Sequence, residues 1–177
     1  MAELTLLSTG LLRSSCVVVH EGHDLGRIEP ASWSNRARVM VEGEPYDLRR
    51  DHRWRGSFRL RQGDPTGPEV AWAEGSVYRR HFEITLGEAA TGGAVVECGV
   101  VGRQRLSEWA VEVDGHEVGS IRALTGVRLR GHASLPDGFG AVGQIFCCAL
   151  VTVAAGRSRP PSVLEFGGRV DESPEQS

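Results

Sequence analysis

Lysine is absent from this sequence, and all twenty of its basic residues are arginine. A lysine nucleophile, a lysine Schiff base and the lysine of a phosphate-binding P-loop are therefore excluded. The 177 residues carry a formal net charge of −3 at pH 7, whereas a general nucleic-acid-binding protein needs a basic surface. We therefore expect no nucleic acid among the partners of this protein.

The short motifs of common enzyme and metal sites are also missing. There is no G-x-S-x-G segment and no C-x-x-C pair, and the cysteines at 16, 98, 147 and 148 match no zinc framework. His20 and His23 form an H-x-x-H pair, but no third or fourth ligand can be named beside them. We expect no catalytic residue, no metal and no cofactor, and we interpret the cysteines as reduced, buried thiols.

An export signal is not evident in residues 1–16. This stretch has an acidic residue at position 3, no basic start, and apolar residues that Thr5, Ser8 and Thr9 interrupt. A secretory signal needs a basic segment followed by an unbroken apolar core. The expected location is the cytoplasm, with peripheral attachment to a membrane surface if the ligand is a lipid.

Strand signals dominate the chain before Leu135. Short runs rich in Val, Ile, Leu, Trp and Phe alternate with polar residues, and Gly, Asp or Pro separates the runs. The candidate strands fall at 14–20, 25–30, 36–43, 45–50, 56–62, 69–75, 81–87, 94–100, 108–115, 117–123 and 126–131. Since no segment in this region has a helical period, this density of strands predicts an all-β sandwich or barrel.

Two of the predicted hairpins resemble each other. "EGHDLGRIEP" (21–30) and "DGHEVGSIRA" (114–123) share the order acid, Gly, His, acid, aliphatic residue, Gly, any residue, Ile. The second copy follows 93 residues after the first, close to half of the chain, so we interpret the protein as two related halves. His23 and His116 occupy the same position in the two copies, which favours a structural role in a turn over two separate active sites.

The most apolar stretch, 138–157, reads "GFGAVGQIFCCALVTVAAGR". It predicts a helix over 138–156, with Asp137 as its N-cap and Gly156 as its C-cap. Such a helix is roughly 26 Å long, at or below the length that spans a bilayer, and a helix that is apolar all round belongs inside a protein. We therefore predict no transmembrane span. The expected fold is all-β with one helix: a closed barrel domain, 1–157, of roughly twelve strands around the helix, followed by a mobile tail, 158–177.

In the order of these features the sequence resembles the tubby C-terminal-like superfamily, which includes the LURP-one-related proteins and the phospholipid scramblases. The segments that carry the resemblance are "HEVGSI", "RWRGSFRL", "VAWAEG" and the closing "LPDGFGAVGQIFCCALVTVAAG", and it covers most of residues 15–157. The resemblance implies a twelve-stranded barrel threaded by a C-terminal hydrophobic helix. Tubby domains bind phosphoinositide head groups through basic residues, but this chain lacks their lysine–arginine cluster, so no functional residue is carried over position by position.

The strongest local feature is the arginine-rich segment 48–61, "LRRDHRWRGSFRLR". Strand alternation places its arginines from Arg53 to Arg61 on one outward face and the apolar residues on the other. Arginine forks beside an aromatic ring suit a phosphate or head group, although an ordinary solvated face offset by acids has the same pattern. A second basic patch at 79–81 joins the first if the strands are neighbours. The candidate ligand residues are Arg49, Arg53, Trp54, Arg55, Arg59, Arg61, Arg79 and Arg80.

Three functional hypotheses follow. The leading one is a non-enzymatic module that binds an anionic lipid head group or another phosphate ligand at a membrane surface. The alternative is an interaction or scaffold protein without a small-molecule ligand, which uses its strand faces and tail to bind an unknown protein partner. The third is a hydrolase or metal enzyme built on His20, His23 or a cysteine.

Overall fold

The computed structural model describes residues 1–9, 15–31, 36–51, 56–76, 79–103, 108–122 and 130–157. Within them lie the strands β1 (Ala2–Thr9), β2 (Ser15–His20), β3 (His23–Pro30), β4 (Arg36–Val41), β5 (Glu44–Arg50), β6 (Phe58–Gln62), β7 (Glu69–Ser76), β8 (His81–Leu86), β9 (Val96–Gly102), β10 (Glu108–Val113), β11 (His116–Arg122) and β12 (Arg130–Leu135). Each strand pairs antiparallel with its neighbours in sequence, and β1 also pairs with β12. The sheet is thus a closed barrel, and the predicted fold class is confirmed.

A single long helix fills the barrel. After β12 the chain makes a 3-10 turn, η1 (Asp137–Phe139), and then forms α2 (Gly140–Arg157). The window from Asp137 to Ala154 has a mean hydropathy of 1.6, apolar enough for a membrane, but 67% of it is buried inside the protein. The described strands turn alternate side chains toward α2, as Ala37, Val39 and Val41 do from β4. The apolar run is therefore a core helix.

The ends of this helix differ from the prediction. Asp137 does not cap α2: it lies in η1, and its carboxylate accepts a hydrogen bond from the ammonium group of Met1 at 2.5 Å. Gly156 lies within the last turn, because α2 continues to Arg157. A polar side chain secures the start of α2 instead, since the Gln144 amide donates to the carbonyl of Pro136 at 3.1 Å. Capping residues next to the helix do not predict this contact, because it joins the helix to the residue that follows β12.

Residues 1–16 contain a strand that the sequence analysis did not predict. β1 closes the barrel by pairing with both β2 and β12. Its alternation was visible in the sequence, because Ala2, Leu4 and Leu6 are buried while Glu3 between them is exposed. The threonines and serine that argue against an export signal, Thr5, Ser8 and Thr9, are compatible with this strand. Most of the last predicted strand, 126–131, lies outside the described residues, and β12 is described from Arg130.

The barrel consists of three four-strand units, which replace the two predicted halves. In each unit the second and third strands shift register at one bulge, with the extra residue on the third strand; the shifts fall after Val18, Leu60 and Val111. The fourth strands, β4, β8 and β12, share one alternation of exposed and buried residues. The two similar hairpins are β2–β3 and β10–β11, eight strands apart. The two similar hairpins are therefore separated by two of the three units, which is eight of the twelve strands.

Charge separates the two ends of the barrel. At the end where α2 begins, here called the acidic end, six connections each carry one acidic residue and no arginine: Glu21, Glu42, Asp64, Glu88, Asp114 and Asp137. The opposite end, here called the arginine end, carries Arg36, Arg49, Arg50, Arg59, Arg79, Arg80, Arg103, Arg122 and Arg130 at described strand ends or beside them, against Glu29, Asp51 and Glu108. This arrangement complements the dipole of α2, whose negative end lies at the arginine end.

Candidate functional site

Three arginines lie side by side on the outer wall near the arginine end. Strand register places Arg36 of β4 opposite Arg49 of β5, and Arg49 opposite Arg59 of β6. We call these three residues the arginine row. Side chains directly opposite each other in a sheet have Cβ atoms about 4.5–5.5 Å apart, so neighbouring guanidinium groups can reach a single phosphate. The predicted outward direction of Arg59 is confirmed, because Phe58 and Leu60 beside it point into the core.

Carboxylates already neutralise part of this face. Arg49 forms an ion pair with Asp47, and Arg59 donates to Asp51 and, at 2.6 Å, to Glu69. The hydrogen bond to Asp51 is the main reason that the pKa of the Arg59 guanidinium is raised. Arg61, also a predicted ligand residue, has its guanidinium 3.6 Å from Glu69. Much of the predicted stripe is therefore paired with acids of the same sheet.

Arg36 differs from the other two members of the row. It is exposed, and within the described residues it has no ion pair. Arg36 is not among the predicted ligand residues, because it lies outside the segment 48–61 and reaches Arg49 only through the pairing of β4 with β5. Three of the predicted residues, Arg53, Trp54 and Arg55, lie outside the described residues, between Asp51 and Gly56.

An aromatic side chain stands at the end of the arginine row. Trp72 of β7 lies opposite Arg59 and is half-buried on the outer wall. The sequence does contain a signal for this position, because the buried Ala71 and Ala73 on either side force Trp72 outward. An indole beside a guanidinium offers a flat apolar surface to the non-phosphate part of a ligand.

The second basic patch does not join the row. The guanidinium of Arg80 lies over the ring of Trp109, 4.7 Å from its centroid, and donates to the carbonyls of Arg103 and Glu108. These contacts tie the β7–β8 connection to the β9–β10 connection, on the side away from the row. Burial lowers the pKa of the Arg80 guanidinium. Arg80 is thus a structural residue, while the neighbouring Arg79 is exposed and its backbone N–H donates to Ser76.

The four cysteines are buried, as predicted. Burial raises the pKa of the Cys16 thiol from 9.0 to about 12 and raises that of Cys148 as well. A hydrogen bond with Cys98, together with burial, raises the pKa of the Cys147 thiol far above its ordinary value. Because the thiolate is the nucleophile and the metal ligand, the thiols of Cys16, Cys147 and Cys148 are unsuited to either role.

The histidines are the next candidates for a metal site. His20 and His23 face each other across the β2–β3 turn, and His23 and His116 each follow a turn whose acidic residue has positive φ. Within the ranges given above, no three His, Cys, Asp or Glu side chains lie close enough to hold a metal ion.

One glycine pattern escaped the sequence analysis. Gly138, Gly140 and Gly143 have the G-x-G-x-x-G spacing of a dinucleotide-binding loop, and they stand between a strand and a helix. In this protein the strand is β12, which is antiparallel to both of its neighbours. The helix is α2, which lies inside the barrel among core side chains. A Cβ at Gly140 would lie 2.5 Å from the carbonyl oxygen of Ala90, in the one-turn helix α1 (Glu88–Thr91). A Cβ at Gly143 would lie 2.8 Å from Cδ1 of Leu86, so Gly140 and Gly143 allow close packing, whereas Gly138 has no atom within 4 Å of a new Cβ.

Comparisons of the chain with protein families, with curated proteins and with solved structures find no match.

Proposed function

We propose that this protein is a non-enzymatic binding module that takes an anionic lipid head group, or another phosphate ligand, on the arginine row. The observation that carries the proposal is the placement of three arginines directly opposite one another on neighbouring strands. Like charges in that position destabilise a sheet; Arg49 and Arg59 are offset by carboxylates, but Arg36 has no ion pair with a described residue. A phosphate would supply the negative charge that the row needs.

The ion pairs indicate different roles for the three arginines in binding a ligand. Arg36 is the guanidinium available for a first contact, and Arg49 is its direct neighbour. Arg59 is held by Asp51 and Glu69, so it is less available to a ligand than Arg36. The resemblance of the sequence to tubby-like proteins agrees with a head-group ligand, although no residue is transferred from that resemblance.

A second candidate function is favoured by the same ion pairs. A face on which Arg49, Arg59 and Arg61 already have carboxylate partners also suits an interaction protein that binds no small ligand. The two functions differ in a measurable way, since only the first requires binding to phosphate groups in the absence of other proteins.

The test is co-sedimentation of the purified protein with neutral phosphatidylcholine vesicles and with vesicles that contain anionic phosphatidylserine or a phosphoinositide. We expect salt-sensitive binding to the anionic vesicles only. Each arginine near an anionic surface contributes about 1 kcal/mol, so Arg36→Ala with Arg49→Ala should weaken the partition coefficient by about 30-fold. Soluble inositol phosphates as competitors distinguish a head-group ligand from a membrane surface.

The matched control removes two arginines from the opposite wall of the same end. Arg103→Ala with Arg122→Ala makes the same change in net charge and also breaks two surface ion pairs, with Glu117 and Glu108. Equal loss of binding in both double variants would mean that net charge, and not the arginine row, determines binding. Absence of binding to every vesicle and every inositol phosphate would overturn the proposal and favour the interaction protein.

A further inference from the structure

The chain leaves the barrel at the arginine end. The helix α2 has 18 residues and is therefore about 27 Å long. None of the described strands exceeds eight residues, or about 26 Å, so α2 runs from the acidic end through to the arginine end. Residues 158–177, here called the tail, follow it and lie outside the described residues. The tail therefore starts at the end of the barrel that carries the arginine row.

The charge of the tail changes along its sequence. Its first part, 158–170, contains two arginines and one glutamate, whereas 171–177 contains three acidic residues and no arginine. We call 171–177 the acidic segment. Its carboxylates belong to Asp171, Glu172 and Glu175, within five successive residues. Carboxylates form strong, charge-assisted hydrogen bonds with guanidinium groups, so the acidic segment has the chemistry of a ligand for arginine.

The arginine row is the place where such a ligand fits. Arg36 is exposed, has no ion pair with a described residue, and lies directly opposite Arg49. Arg79 and Arg130 are exposed without a described ion pair too, but neither has an arginine directly opposite it on a described strand. On the far wall of the same end, two arginines already have carboxylate partners. Among the described residues, only the row sets an unpaired guanidinium directly opposite a second one.

The acidic segment is close enough to reach the row. Asp171 follows Arg157 by 14 residues, and an extended chain of that length spans up to about 46 Å. Twelve strands about 4.8 Å apart and tilted by about 40° form a wall about 12 Å from the barrel axis. A segment tethered within such reach acts at an effective concentration in the millimolar range, so even a weak contact with the row competes with a free ligand.

We propose that the acidic segment of the tail binds the arginine row of its own chain and competes there with the anionic ligand. Its carboxylates contact Arg36 and Arg49, and a ligand must displace them before it reaches the row. The tail is thus an autoinhibitory element. The competition rests on the function proposed above, whereas the contact between the tail and the row does not.

Paramagnetic relaxation measures this contact in the full chain. A nitroxide attached to Ser173→Cys labels the tail alone, because the four natural cysteines are buried. We expect at least a twofold loss of amide signal at Ala37 and Leu48, which adjoin Arg36 and Arg49, and no loss at the acidic end. The signal should recover in about 0.5 M salt, where the Debye length falls to about 4 Å.

Two results of this measurement would overturn the proposal. One is the absence of signal loss in β4 and β5, or the same loss at both ends of the barrel. The other is an equal loss in unlabelled, isotope-enriched chains mixed with labelled ones, because the tail would then contact a second copy instead of its own chain.

Charge-neutral variants of the full chain test the competition. Asp171→Asn with Glu172→Gln and Glu175→Gln should bind phosphatidylserine-containing vesicles at least threefold more tightly than the natural chain. The matched control neutralises three exposed acids near the acidic end, Glu44→Gln, Glu88→Gln and Glu97→Gln, and should stay within twofold of the natural chain. An equal gain in both triple variants, or no gain in the tail variant, would overturn the competition.

Inositol hexakisphosphate added to the labelled chain separates this proposal from the function proposed above. Recovery of the amide signal at Ala37 supports both, because a phosphate ligand then displaces the tail from the row. A signal loss that persists, together with no vesicle binding by any variant, would overturn the phosphate ligand and the competition but leave the contact established. No signal loss at the start would overturn the contact, whatever the vesicles show.

Discussion

Gly26 of β3 provides a sharp test of how the barrel packs around its helix. A Cβ added at this position would lie 2.2 Å from the carbonyl oxygen of Met40 and 2.6 Å from Cδ1 of Ile145. Met40 belongs to the paired strand β4 and Ile145 to α2. The substitution Gly26→Ala therefore forces a methyl group into the contact between the sheet and the helix α2.

The expected loss of stability follows from which of these atoms can move. Ordinary contacts of a Cβ begin at 3.4 Å, so the two neighbours fall short by about 1.2 and 0.8 Å. The end of the Ile145 side chain can rotate, but the Met40 carbonyl is fixed in the β3–β4 ladder. Overpacking of this kind costs about 1–3 kcal/mol. Because the overlap is with backbone, we expect about 3 kcal/mol, which lowers the melting temperature by roughly 6–12 °C.

The chain supplies two comparison sites for this measurement. Gly119, at the same place in the third unit, would put a Cβ 2.4 Å from the carbonyl oxygen of Ser134, so Gly119→Ala should cost a similar amount. Gly99 of β9 has no atom closer than 3.9 Å to a new Cβ. Gly99→Ala should be neutral or stabilise the protein by about 0.5 kcal/mol, because alanine restricts the unfolded chain.

Thermal and urea unfolding, followed by circular dichroism, would measure all three variants. A change smaller than about 0.5 kcal/mol for Gly26→Ala, the size of an ordinary surface substitution, would refute the close approach of β3 and β4. The same loss for Gly99→Ala as for Gly26→Ala would refute the steric explanation, since it would point to a general effect of alanine in these strands.

Three further predictions concern the interior and the arginine end. Above pH 9 the Cys16 thiol ionises in the unfolded chain but, with its pKa raised to about 12, stays protonated in the fold. The contribution of Cys16 to stability is therefore fully present below pH 9 and falls by up to about 1.4 kcal/mol per pH unit between pH 9 and 12. Urea unfolding at several pH values should show this loss, and Cys16→Ala should reduce it. Phe146 of α2 is fully buried, so Phe146→Ala should lower the free energy of unfolding by about 3–5 kcal/mol, and a loss below 1 kcal/mol would contradict its core position. Arg80→Ala removes two hydrogen bonds to carbonyls and the contact with Trp109, so it should cost about 2 kcal/mol and change the tryptophan fluorescence; an unchanged emission spectrum would contradict that contact.

The candidate site was only partly predictable from the sequence. Strand alternation correctly placed Arg59 and Arg61 outward, because a buried Phe58 and Leu60 fix the face of β6. The same period could not show that Glu69, on the next strand, pairs with both of them. Arg80 illustrates a stronger limit: beside Arg79 it reads as a basic patch, yet its contacts are two carbonyls and an indole from a distant part of the chain.

Local periodicity determined most of the architecture. Alternating apolar residues gave the strands, and a run apolar on every side gave the core helix, because such a surface is stable in a protein only when it is enclosed. Only the tertiary structure decided the rest, since strand register is a relation between segments. Register places Arg36 beside Arg49 and divides the barrel into three units instead of two. Charges that are scattered along the sequence become an acidic end and an arginine end only when antiparallel strands bring alternate connections together.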